Sequence, residues 1–131
     1  MSRARIRAQA HFVYLKERPV EKLDMKLDIP QGTLDLMILT ILSREPMHGY
    51  GISQRLAALS HDRFQVNPGS LFPSLYRLEQ DGKLKAEWRA TENNRRAKYY
   101  RLTATGKRQL EQHRERWNRV SFAVRSVLEG A

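Results

Sequence analysis

The sequence predicts a mainly α fold carrying one small β-hairpin, an α+β class, and three observations predict it. Apolar residues recur at helical spacing in three short segments between residues 31 and 80. Two runs of alternating residues follow, joined by the polar turn Glu-Asn-Asn-Arg-Arg. A final segment from residue 103 keeps its apolar positions close to heptad spacing.

In the first helix, GTLDLMILTIL places Leu34, Ile38, Ile41 and Leu42 on one face, and Pro46 is expected to end it. The second, MHGYGISQRLAALS, has Ile52, Leu56 and Leu59 as its apolar stripe. HDRFQV then reads as a loop or one short strand.

NPGSLFPSLYRLEQDGKL supplies the third helix. Asn67 is a good N-cap, and Pro68 at the first helical position gives up an N–H that the helix would leave unsatisfied anyway. Leu71, Leu75 and Leu78 point to the core, leaving Ser70, Pro73, Ser74 and Arg77 outside with Phe72 and Tyr76 flanking. Pro73 clashes in a regular helix with the carbonyl of Gly69, a cost of about 3 kcal/mol. A distorted turn or kink between Gly69 and Pro73 is therefore expected; the alternative is a helix that begins only at Pro73.

In the hairpin, Leu84, Ala86 and Trp88 alternate with Lys85, Glu87 and Arg89. On the return strand Lys98, Tyr100 and Leu102 share a face. Thr103 or Thr105 can cap the last helix, whose stripe is Leu110, Trp117, Val120, Val124 and Val127. That stripe is too long for so small a domain to cover alone.

The chain has 131 residues, a formal net charge of +10 and no cysteine. Disulfides, thiol nucleophiles and thiolate metal sites are thereby excluded, and a polyanionic partner is favoured. The four histidines, His11, His48, His61 and His113, lack metal-ligand spacing. Paired carboxylates, a nucleophile elbow and a phosphate-cradling glycine loop are missing, so neither an enzyme nor a bound cofactor is expected. No apolar run reaches the ~18 residues of a membrane span, and no secretory signal opens the chain, so a cytoplasmic protein is expected.

Three short helices followed by a hairpin with a basic tip is the order of a winged helix-turn-helix, here with a long C-terminal helix. Residues 30–102 form the expected DNA-binding domain and 103–131 the C-terminal helix. Residues 1–29 stand apart: a basic arm, a disordered extension, or in part a product of start-site choice with Met25 as the first residue. A small-residue outer face on the third helix lets backbone and hydroxyls approach base edges in a major groove, and Arg77 can pair with guanine or phosphate. The candidate DNA-contacting residues are Asn67, Ser70, Phe72, Pro73, Ser74, Tyr76 and Arg77, with Arg95, Arg96 and Lys98 on the wing and Tyr50 reaching a phosphate. His48 is a candidate brace for the turn between the first two helices. A winged helix can also serve as a protein-interaction module, and that alternative stays open.

GTLDLMILTIL, HGYGI, NPGSLFPSLYRLEQDGKL and RRAKYYRLTATGKRQL together resemble the PadR family of bacterial transcriptional regulators, in its short subgroup with a single C-terminal helix. The resemblance covers roughly residues 30–128. Where the family often has tyrosine before the second proline, this chain has Phe72, so a hydroxyl contact is lost there. The resemblance implies a homodimer on a near-palindromic double-stranded operator, usually as a repressor. It also implies that the C-terminal helix packs on its partner, which makes Leu110, Trp117, Val120, Val124 and Val127 the expected dimer interface. WNRV resembles the stretch that, in multidrug-responsive members, places a tryptophan in a dimer-interface pore. Trp117 is on that ground a candidate contact for a small aromatic effector, beside its plainer role as a large interface residue.

Overall fold

The computed structural model describes residues 31–131; the extension at 1–29 lies outside them. Among the described residues, four helices and three strands follow in the order α1 (Gln31–Leu42), β1 (Met47–His48), α2 (Gly49–Leu59), α3 (Pro68–Gln80), β2 (Leu84–Ala90), β3 (Arg96–Leu102) and α4 (Ala104–Gly130). The strands form one antiparallel sheet in the order β1-β3-β2. This is a winged helix-turn-helix with a long C-terminal helix.

Local chemistry explains most boundaries. His48 caps α2, its Nδ1 accepting from the Gly51 N–H at 2.9 Å, so the expected brace at this turn is present. Asn67 caps α3 through Oδ1, which accepts from the Ser70 N–H at 2.9 Å. α3 closes in a Schellman motif: the Gly82 N–H bonds Glu79 O at 3.0 Å and the Lys83 N–H bonds Leu78 O at 2.9 Å. Gly82, at φ 76°, supplies the left-handed residue that this motif needs. Thr103 caps α4, accepting from the Gly106 N–H at 2.9 Å while its own hydroxyl meets Gly82 O and Lys83 O.

The core is assembled from one stripe per element. Leu34, Ile38, Leu39, Ile41 and Leu42 of α1 meet Ile52 and Leu56 of α2 and Leu71, Leu75 and Leu78 of α3. Leu84, Tyr100 and Leu110 close it from the sheet and from α4. Removing such side chains from water, at about 1.5–3 kcal/mol each, is the main stabilising contribution.

Several expectations need correction. The second helix does not include Met47 and His48, which form β1 against Tyr100 and Tyr99. α1 stops at Leu42, before Pro46, with the Ser43 hydroxyl donating to Thr40 O. Leu59 is exposed, because α2 is ending there and α1 packs on its Ile52–Leu56 side. α3 runs unbroken through Pro73. The N–H missing at Pro73 would have bonded Gly69 O in an exposed first turn, where water can take the carbonyl instead. Leu110 is 3% exposed and belongs to the chain's own core, since the first turns of α4 are folded back on α1.

α4 then leaves the domain behind. Its 27 residues span about 40 Å. Beyond Leu110, Trp117, Val120, Val124 and Val127 all stand exposed, as does Phe122. Among the described residues, no helix is long and apolar enough to cross a membrane.

Candidate nucleic-acid interface

α3 presents one edge to solvent. Asn67, Ser70, Phe72, Pro73 and Tyr76 are exposed along it, as the helical spacing of the core leucines requires. At Gly69 a Cβ would meet only Asn67 Oδ1, at 3.1 Å, so nothing from the rest of the fold crowds that surface. Tyr50, in the first turn of α2, is exposed beside it, and its hydroxyl accepts from Gln54 Nε2 at 3.0 Å.

Two residues assigned to this edge by sequence are engaged within the fold: Ser74 is buried and Arg77 is half-buried. Ser74 is 2% exposed, and its hydroxyl donates to Ser70 O at 3.0 Å. It lies beside Leu75 on the buried side, where a serine fits because the preceding turn satisfies its hydroxyl. Arg77 turns toward α1 and donates from Nη2 to Asp35 Oδ1 at 2.7 Å. That hydrogen bond raises the guanidinium pKa above its ordinary value, against the opposing effect of burial. Asp35 is itself a buried carboxylate, which needs such a partner. Arg77 is therefore a strut between two helices before it is anything else.

The wing is β2 and β3, in register from Leu84 opposite Leu102 to Ala90 opposite Arg96. Its tip is closed by the Thr91 N–H to Arg95 O at 2.6 Å and the Asn94 N–H to Thr91 O at 2.9 Å. Asn94 sits at φ 60°, a left-handed conformation that asparagine tolerates. Arg95 and Arg96 are exposed at this tip. Lys98 is not part of it: its Nζ donates to Glu79 Oε1 of α3 at 2.9 Å, which raises its pKa. Two residues further from the tip than Arg96, it ties the wing to α3.

Between the wing and the α2–α3 corner lies an open cleft of about 510 Å³. Phe72 forms its inner wall by resting on Gly49, where a Cβ would come within 2.5 Å of the ring. Trp88 forms the facing wall, 58% exposed, with the Arg96 guanidinium 5.9 Å from its ring centroid. Sequence reasoning missed Trp88. Alternation with Leu84 and Ala86 puts it on the core side of β2, but the hairpin outruns the core before reaching it. The available signal was its pairing opposite Lys98, two positions from the basic turn.

The residues expected at a dimer interface, Trp117, Val120, Val124 and Val127, are exposed along α4 after its buried start. Trp117 also lines an apolar groove of about 430 Å³ with Met37, Leu56, Leu59 and Phe64.

Known proteins share this arrangement. The model of the transcriptional regulator PadR-like family matches residues 38–112. A transcriptional regulator of Mycobacterium tuberculosis is 32% identical over 103 residues, covering 79% of this chain and 90% of that protein. Among solved structures, a PadR-like transcriptional regulator from Bacillus cereus is 33% identical with a TM-score of 0.68, over 76% of this chain and 95% of that one. A PadR family transcriptional regulator from Eggerthella lenta is 32% identical with a TM-score of 0.69, over 82% and 92% respectively. The matched region takes in the C-terminal part of α1, the whole of α2 and α3, both wing strands and the buried start of α4, and the chain belongs to the PadR-like family of transcriptional regulators, DNA-binding proteins rather than enzymes.

Proposed function

We propose that the chain is a homodimeric repressor that reads an operator with the exposed edge of α3 and grips the neighbouring backbone with its wing. The observation that carries this reading is the continuity of Ser70, Phe72, Pro73 and Tyr76 with an arginine-tipped hairpin. Small and aromatic side chains on a major-groove edge, next to cations that neutralise phosphate, are what direct readout and backbone positioning need. The exposed apolar stripe of α4 supports dimerisation. Stripes of this kind on a soluble domain mark an interface, and a two-fold dimer would set two copies of α3 about 34 Å apart. In this reading residues 30–102 read DNA, 103–131 pair the subunits, and the protein works inside the cell, where its operator is.

The test is a mobility-shift assay on the DNA upstream of the protein's own gene, combined with sedimentation. The wild type should shift the fragment as a dimer and lower expression of a reporter placed behind it. Val124→Asp should sediment as a monomer and lose the shift. A monomeric wild type, or a reporter that rises, would contradict the reading.

The groove at Trp117 favours a second element, response to a small aromatic effector. Its volume lies in the ~300–1,000 Å³ range of small-molecule sites, and its lining is mostly apolar, with Thr40, Ser60 and Arg114 as the polar members. An effector there would act by favouring one spacing of the two copies of α3. Planar dyes should quench Trp117 and weaken operator binding; a dye series without effect on either excludes this element.

A further inference from the structure

We infer that the cleft between Trp88 and Phe72 is a seat for one DNA strand, with the indole of Trp88 packed on a deoxyribose and Arg96 on the adjoining phosphate. The inference rests on the DNA-reading function just proposed and assigns it a contact residue, Trp88, and a place for one backbone.

The cleft combines two properties that separately suit other ligands. Its walls are aromatic: Phe72 on the α3 side, Trp88 on the wing, and Tyr50 exposed at the rim. Its charge is all of one sign, since Arg95, Arg96 and Lys98 line it and no carboxylate does. Lys98 is committed to Glu79, whereas neither Arg95 nor Arg96 meets a carboxylate among the described residues. A phosphate alone has no use for three aromatic surfaces, and an apolar molecule has none for two guanidinium groups. A sugar–phosphate strand uses both, with ring C–H groups on aromatic faces and phosphate oxygens on the arginines. Continuity supplies the direction. Phe72 belongs both to the exposed edge of α3 and to the cleft, so a strand lying along that edge runs on between helix and wing.

Arg96 is also prepared for the role. Its guanidinium lies over the indole, 5.9 Å from the ring centroid, and a cation–π contact uses none of its hydrogen-bond donors. A strand entering the cleft meets an arginine that, among the described residues, has no ion pair to leave.

The experiment uses the full chain labelled with fluorotryptophan, which gives one fluorine NMR resonance each for Trp88 and Trp117; Trp88→Phe assigns them. A mixed-sequence duplex of ~20 base pairs is titrated in at ~50 mM salt, where non-specific phosphate contacts hold it, and fluorescence anisotropy of the duplex follows binding in parallel. The Trp88 resonance should shift in step with duplex saturation, and Trp88→Ala should weaken binding about tenfold while Trp88→Phe retains most of it. If the duplex binds and the Trp88 resonance stays put, the cleft does not seat a strand, although the DNA-reading function survives. If no duplex binds, both fall. A polyglutamate chain that moves the resonance equally well would overturn the assignment to a nucleic-acid strand.

Discussion

Arg77 on α3 and Asp35 on α1 are joined by a 2.7 Å hydrogen-bonded ion pair across 42 positions of sequence. The pair ties α3 to α1 beside Leu71, Leu75 and Leu78, the buried leucines that set which residues face outward. Asp35→Ala should lower stability by about 1–2 kcal/mol, a charged hydrogen bond discounted because Arg77 is partly open to water. Urea denaturation should show a lower midpoint at an unchanged slope. An unaltered midpoint would remove the strut.

The wing cations should separate by role. Arg95→Ala and Arg96→Ala should each reduce the log–log salt slope of DNA binding by about 0.9, the loss of one phosphate contact. Lys98→Ala should leave the slope nearly unchanged, because its Nζ is held by Glu79. Anisotropy titrations at several salt concentrations measure all three.

Gly106 in the first turns of α4 should not accept a side chain. A Cβ there would overlap the carbonyl oxygen of Lys83 and lie 2.8 Å from Leu102 Cδ1. Gly106→Ala should therefore be destabilising by about 1–3 kcal/mol, despite a helix-propensity gain of up to about 1 kcal/mol. Thermal melting gives the sign directly, and a raised Tm would contradict the packing.

His113 should make the fold sensitive to mild acid. Burial lowers its pKa from the ordinary 6.5, and Arg116 and Lys83 push the same way, while Asp35 opposes them. The unfolded chain thus takes up the proton more readily than the folded one. Stability should fall as pH drops through histidine's ordinary range, and His113→Gln should lose that part of the slope. Comparing the two proteins at pH ~7.5 and ~5 isolates it from the carboxylates.

What was legible in the sequence was whatever a single element decides for itself. The stripes Leu34–Ile38–Ile41 and Leu71–Leu75–Leu78 and the cap Asn67 follow from local periodicity and capping, and the last cap is narrowed to Thr103 or Thr105. Errors arose where a neighbour decides. Ser74 and Arg77 fit an outer face until α1 is placed beside α3, because the core leucines fix the buried direction but not its width. Leu110 shares a heptad frame with Trp117, yet one is buried against α1 and the other stands half-exposed at the rim of a groove beside α1 and α2. β1 has only two residues, too few for any alternation to register, and it exists because Tyr99 and Tyr100 offer an edge to pair with. Trp88 was missed for a related reason, since strand alternation does not reveal how far a hairpin extends beyond its core.

The exposed edge of α3 as the reading surface is tested most directly by selecting bound sequences from a random duplex library. The wild type should enrich a near-palindromic motif whose half-sites are centred ~10 base pairs apart, one helical turn. A folded Ser70→Ala/Tyr76→Ala variant should keep salt-dependent, non-specific binding while enriching that motif at least tenfold less, in line with about 1–3 kcal/mol per lost base contact. The same motif enriched equally by both proteins would contradict the account.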